Sequence, residues 1–145
     1  MKRIRKTLFL ILLVITSVFG LLKCSKDDSI NGSDNQILIG NDIFQSNPND
    51  PLIITEATIT GDYLKISFGA SGCDATNWRV NLVGSPGVLF SLPPQREIRL
   101  SLKNNEICSA ALGKTILFDL KPSRTTGNQI VLNLAGWDKP LLYNY

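Results

Sequence analysis

The chain has 145 residues and not one histidine. That absence excludes Ser-His-Asp and Cys-His nucleophilic machinery built from its own side chains. It also removes every imidazole metal ligand, leaving only sulfur and oxygen donors. Methionine occurs once, as Met1, so a mature core has no thioether filler. Basic charge is scarce where it would matter. Of the 15 basic residues, five (Lys2, Arg3, Arg5, Lys6 and Lys23) precede Cys24, and none of the 12 acidic residues does. The formal charge of +3 therefore becomes ten basic against twelve acidic residues, or −2, once that leader is set aside. A nucleic-acid binder needs a basic stripe to neutralise phosphates, so no nucleic-acid partner is expected. No glycine-rich loop follows a strand and opens a helix, so no nucleotide cofactor is expected either. Asp27-Asp28 and Asn31-Gly32-Ser33-Asp34 lack the spacing that gathers oxygens around calcium, and no metal site is expected.

What is there begins with the leader. Residues 1–6 are cationic, residues 8–22 are apolar apart from Thr16 and Ser17, and Lys23-Cys24 follow. A largely apolar stretch of fifteen residues suits the hydrophobic region of a signal peptide. A spanning helix needs about 20. Leu21-Leu22-Lys23-Cys24 resembles a bacterial lipoprotein signal, with Leu21 at the matching position and Lys23 where a small residue is usual. The resemblance implies lipidation of Cys24 and a mature chain starting there. The competing reading is cleavage after Gly20, giving a secreted or periplasmic protein. Ser25-Lys26-Asp27-Asp28 resembles the acidic export tag of Bacteroidota surface lipoproteins, which implies an outer-membrane, surface-exposed anchor. Three cysteines in an exported chain leave one unpaired, and a lipid thioether on Cys24 accounts for it.

The stretch 25–51 is polar and ends in the turn-rich Pro48-Asn49-Asp50-Pro51, and Ser25 to about Gln36 reads as a disordered tether. Ile37-Leu38-Ile39 is an apolar patch in the polar stretch, and Ile37 to Phe44 fits an edge strand or a short docking segment. Asp28-Ser29-Ile30 resembles a Bacteroidota O-glycosylation site at Ser29, set against a plain solvated linker. The expected organisation is a signal peptide over 1–23, an anchor cysteine and tether over 24–51, and a β domain over 52–145.

From Leu52 onward period two dominates. Leu64, Ile66 and Phe68 alternate with polar neighbours, as do Trp78, Val80 and Leu82. Ile98, Leu100 and Leu102, then Ile116, Phe118 and Leu120, then Ile130, Leu132 and Leu134 repeat the pattern. Turn residues fall between the runs: Gly61-Asp62, Ser85-Pro86-Gly87, Pro93-Pro94, Asn104-Asn105 and Gly127-Asn128. The fold class is all-β. About eight short strands at this spacing predict a small antiparallel β-sandwich of immunoglobulin type, with an open β-barrel as the second choice. Trp78 is expected in the core.

Cys73 and Cys108 flank strands, 35 residues apart in an oxidising compartment, so a structural disulfide is expected. A redox-active pair would want a close C-x-x-C spacing. Residues 69–120 also resemble an uncharacterised family of small secreted or lipid-anchored β-domain proteins of Bacteroidota. The resemblance rests on Ser71-Gly72-Cys73, Trp78, Asn104-Asn105-Glu106-Ile107-Cys108 and Phe118-Asp119-Leu120 before Pro122. It implies the disulfide and the strand order, and no catalytic activity.

Trp137, Tyr143 and Tyr145 are the aromatic candidates for contact with a ligand, a glycan or an envelope protein. The alternative for Trp137 is a lid folded over the end of the sandwich. The leading functional expectation is a non-enzymatic envelope lipoprotein, its membrane contact made by the lipid anchor. A second is a protease inhibitor using residues 85–87 or 93–96 as a loop. A third is an accessory subunit of an envelope hydrolase or glycan-uptake system.

Overall fold

The computed structural model describes residues 35–145. Eight strands form two sheets, and the fold is a small all-β sandwich. One sheet holds β2 (Ile53–Thr60), β3 (Tyr63–Gly72) and β6 (Ala110–Asp119), in the order β2-β3-β6. The other runs β1-β4-β5-β7-β8: β1 (Leu38–Ile39), β4 (Arg79–Gly84), β5 (Gln95–Lys103), β7 (Gln129–Leu134) and β8 (Leu141–Asn144). Each expected alternating run is a strand, and its apolar face is the core. Leu64, Ile66, Phe68, Leu82, Leu102, Phe118, Leu120, Ile130 and Leu132 are all buried. Trp78 is buried beside Phe68, their rings 6.0 Å apart.

The strand order is not that of an immunoglobulin domain. β5 pairs β7 in parallel, Gln95 opposite Val131 and Ile98 opposite Leu134. β1 pairs β4 in parallel as well. The β4–β5 hairpin belongs to one sheet, yet it is slung between β3 and β6, which are neighbours in the other. The β2–β3 hairpin turns at Gly61, whose φ of +56° supplies the first position of a tight hairpin turn.

The segment expected to close the tether is part of the folded unit. Ile37 is only 2 % exposed and sits in the core. Its N–H donates to the Asp119 carbonyl at 3.0 Å, and the Asp119 N–H donates to Asn35 at 2.9 Å. A helix, α1 (Asn41–Ser46), follows β1. No helical period marks it, because six residues are too few to show one. Residues 44–48 lie over the outward side of β4 and β5. Arg99 donates to the carbonyls of Phe44 (2.8 Å) and Asn47 (2.9 Å), and its guanidinium stacks 5.5 Å from the Phe44 ring. Ser101 donates to the Pro48 carbonyl at 2.6 Å. This cover buries Val83 and Ser101, which alternation alone assigns to a wetter face.

Candidate functional site

The two ends of the sandwich differ in chemistry. The distal end carries the disulfide. Cys73 and Cys108 are bonded, with Cα atoms 4.9 Å apart. The bond lies one step beyond the last β3–β6 pair, Gly72 with Ala110. It joins two loops, 73–78 and 104–109, into one lobe. Glu106 locks that lobe a second time. One carboxylate oxygen accepts the N–H groups of Cys73 (2.6 Å), Asp74 (3.3 Å) and Ala75 (3.3 Å), and the other accepts that of Asn77 (3.4 Å). Ala75 has φ of +61°, a left-handed conformation costing a non-glycine residue roughly 1–2 kcal/mol. The bond from its N–H to Glu106 offsets that strain. Gly72 is needed for the close fit, since a Cβ there would lie 2.5 Å from the Glu106 carboxylate and 2.9 Å from the Trp78 ring.

The lobe displays Ile107, which is 97 % exposed. At the same end of the sandwich the ends of β2, β3 and β6 form a shallow apolar groove of about 380 Å³, lined by Pro51, Ile53, Ala70, Ser71, Ala111 and Leu112. Lobe and groove are tied together, because the Asn104 amide donates to the Ser71 carbonyl at 2.7 Å. Ile53 in the groove is also strongly exposed. An isolated exposed apolar residue is ordinary. Ile107 differs in being carried on a lobe locked by both the disulfide and Glu106. No sequence pattern points to Glu106 as its clamp. A lone acid in a short loop has no period to betray it, and only its position two residues before Cys108 offers a signal.

The proximal end carries a charged cluster. Asp62 accepts from the Tyr143 hydroxyl at 2.7 Å and from the Arg124 guanidinium. Arg124 Nε donates to the Tyr143 oxygen at 2.9 Å, and the guanidinium lies over the Tyr143 and Tyr145 rings. Lys121 adds a weaker contact to Asp62 at 3.9 Å and one to Asp119 at 3.7 Å. The bond from Tyr143, then that from Arg124, holds the Asp62 carboxyl below the usual range. Asp74 is lowered too, by its bonds from Thr76. For Glu106 burial is the largest single influence and pushes upward, but the four backbone donors together outweigh it and the net shift is downward.

These shifts set a pH dependence. Carboxyls lowered in the folded state add stability that is complete above their ordinary values and lost as pH falls through the lowered ones. The ordinary values are 3.8 for Asp62 and 4.5 for Glu106. The melting temperature should therefore hold from about pH 7 to about pH 5 and then fall. Glu106→Gln should flatten part of that acid limb. Parallel limbs in the two proteins, from thermal melts across pH, would deny Glu106 this role.

The sequence candidates are scattered. Tyr143 is not a ligand contact: it is fully buried, and its hydroxyl is spent on Asp62 and Arg124. β8 pairs Tyr143 with Ile130 of β7, and that register turns it inward. Tyr145 is half-buried, its ring 5.0 Å from that of Tyr143, and its hydroxyl binds Thr125. Trp137 packs against the core in the β7–β8 turn, with its Nε1 buried, as the lid alternative requires. Cys24 and Ser29 lie outside the described residues, as do the leader and the acidic tag. Among the described residues, no three Cys, Asp or Glu side chains gather to hold a metal ion.

No protein-family model matches the chain, and no curated protein matches it by sequence. Solved structures match the fold. A protein of unknown function (DUF1344) from Bacteroides vulgatus is 20 % identical with a TM-score of 0.52, over 76 % of this chain. A NigD-like immunity protein from Bacteroides caccae is 9 % identical with a TM-score of 0.55, over 69 % of this chain. The chain spans only 56 % and 52 % of those two proteins. At such identities the likeness shows the fold alone.

Proposed function

We propose that this chain is a lipid-anchored envelope protein whose β domain binds a protein partner at its distal end and performs no chemistry. The observation that carries the reading is Ile107, held in solvent on a doubly locked lobe at the same end as an apolar groove. Rigid apolar anchors suit recognition because little conformational freedom is lost on binding. None of the three shifted carboxyls is poised as a general acid. A general acid needs a carboxyl raised toward neutral pH, and Asp62, Asp74 and Glu106 are each shifted the other way. The anchor reading rests on the leader and on Cys24.

Two measurements test it. A photo-crosslinking residue placed at position 107 in living cells should yield one discrete protein adduct, and the same residue at exposed Thr58 on β2 should yield none. Identical adducts at both positions, or none at 107, would refute the distal surface. The intact mass of membrane-extracted protein should correspond to a chain starting at an acylated Cys24. A mass starting at Leu21 would remove the anchor.

A further inference from the structure

The β4–β5 loop is the most apolar exposed feature among the described residues. Eleven consecutive residues, 85–95, carry no charge. Leu89, Phe90 and Leu92 stand 57 %, 105 % and 98 % exposed. The loop is built to keep them there. Leu89 and Gln95 exchange backbone bonds of 2.8 and 3.2 Å across its neck. The Ser85 hydroxyl donates to Gly87 at 3.0 Å, and the Ser91 hydroxyl donates to Pro93 at 2.6 Å. The buried Arg96 guanidinium donates to the Ser85 and Pro86 carbonyls.

The loop's place in the fold says what it meets. The chain comes in from its N-terminal segment at Asn35, against the end of β6, and Ile37 packs at the loop's base. A Cβ on Gly84, the last residue before the loop, would meet Ile37 at 3.3 Å and Arg96 at 3.4 Å. Cys24 lies eleven residues before Asn35. Eleven residues reach at most about 40 Å, so an acylated Cys24 keeps this end of the domain near its bilayer. A tether this short also raises the effective concentration of the loop at the surface to about the millimolar range. Of the charges nearby, Arg124 and Lys121 are engaged by Asp62 and Asp119, and Arg96 is buried with its guanidinium on the loop's own carbonyls. The attraction left to the loop is apolar.

We propose that Leu89, Phe90 and Leu92 insert into the lipid surface to which the chain is tethered, seating the proximal end on the bilayer and turning Ile107 outward. The proposal rests on the Cys24 anchor argued above. It predicts insertion into zwitterionic lipid with little dependence on salt.

The test uses the lipidated full-length protein reconstituted in phosphatidylcholine vesicles containing brominated lipid. A Phe90→Trp variant adds one indole at the loop tip to the buried Trp78 and half-buried Trp137. About half of the added emission should be quenched, as fits a side chain seated about 5–10 Å into the headgroup boundary. The quenching should persist at about 0.5 M salt, where charge attraction is screened. Adding Leu89→Asp and Leu92→Asp should abolish it without lowering the melting temperature, because both residues are exposed. If the protein floats with the vesicles but the new indole emits as in water, the anchor stands and the docking is wrong. An indole that shifts to the blue only when envelope proteins are added would show that the loop meets protein, and would also overturn the proposal. Protein that does not float overturns the anchor and the docking together.

Discussion

Replacing Cys73 by serine should lower the unfolding midpoint by roughly 15–30 °C. Cross-linking residues 35 apart restricts the unfolded chain by about 3.5–4 kcal/mol, and each kcal/mol moves the midpoint of a domain this size by about 4–8 °C. The bond has particular reach here because it encloses the whole β4–β5 hairpin. That hairpin crosses to the opposite sheet and returns, so the bridge ties the ends of an inter-sheet excursion. Cys108→Ser should match Cys73→Ser, and the double replacement should be no worse than either, since all three remove one bond. Calorimetry of the three variants checks this. An unchanged midpoint would show that the lobe is held by Glu106 alone.

Ile37→Ala should cost roughly 2–5 kcal/mol, the usual loss for emptying a buried isoleucine site. Ile37 is 2 % exposed and touches the cluster joining both sheets. Its neighbour Leu38 is exposed, and Leu38→Ala should cost within about 0.5 kcal/mol. Urea unfolding of the pair gives the comparison. Equal costs would mean that residues 35–39 lie on the domain without being part of its core.

The same two residues show where sequence reasoning stops. Strands from Leu52 onward are legible because each buries one face, and burial writes itself as alternation. Leu64-Ile66-Phe68 and Ile98-Leu100-Leu102 need no structure to be read. Ile37 is different, because three apolar residues in a polar stretch fit an edge strand and a loose docking segment equally well. Its seat is created by Asp119 and Gly84, 82 and 47 residues downstream. The parallel pairing of β5 with β7 is also a choice between distant strands, and no local pattern records it. Tyr143 illustrates the last difficulty. In a four-residue strand, alternation cannot say which face is inward, and only the register with β7 decides. Of the contact surface, the cysteine pair was readable. The Glu106 clamp and the apolar groove depend on backbone groups and on strands meeting in space.

The ten-residue strands β3 and β6 run between the two ends of the sandwich. At about 3.3 Å per residue they separate those ends by roughly 30 Å. Asn35 is at one end, and Ile107 is on the lobe at the other. The paired strands therefore hold Asn35 and Ile107 at opposite ends, a span about the thickness of a bilayer's hydrocarbon interior. The length of the paired strands sets that span, so removing two residues from each of β3 and β6 would draw Asn35 and Ile107 closer by about 6–7 Å.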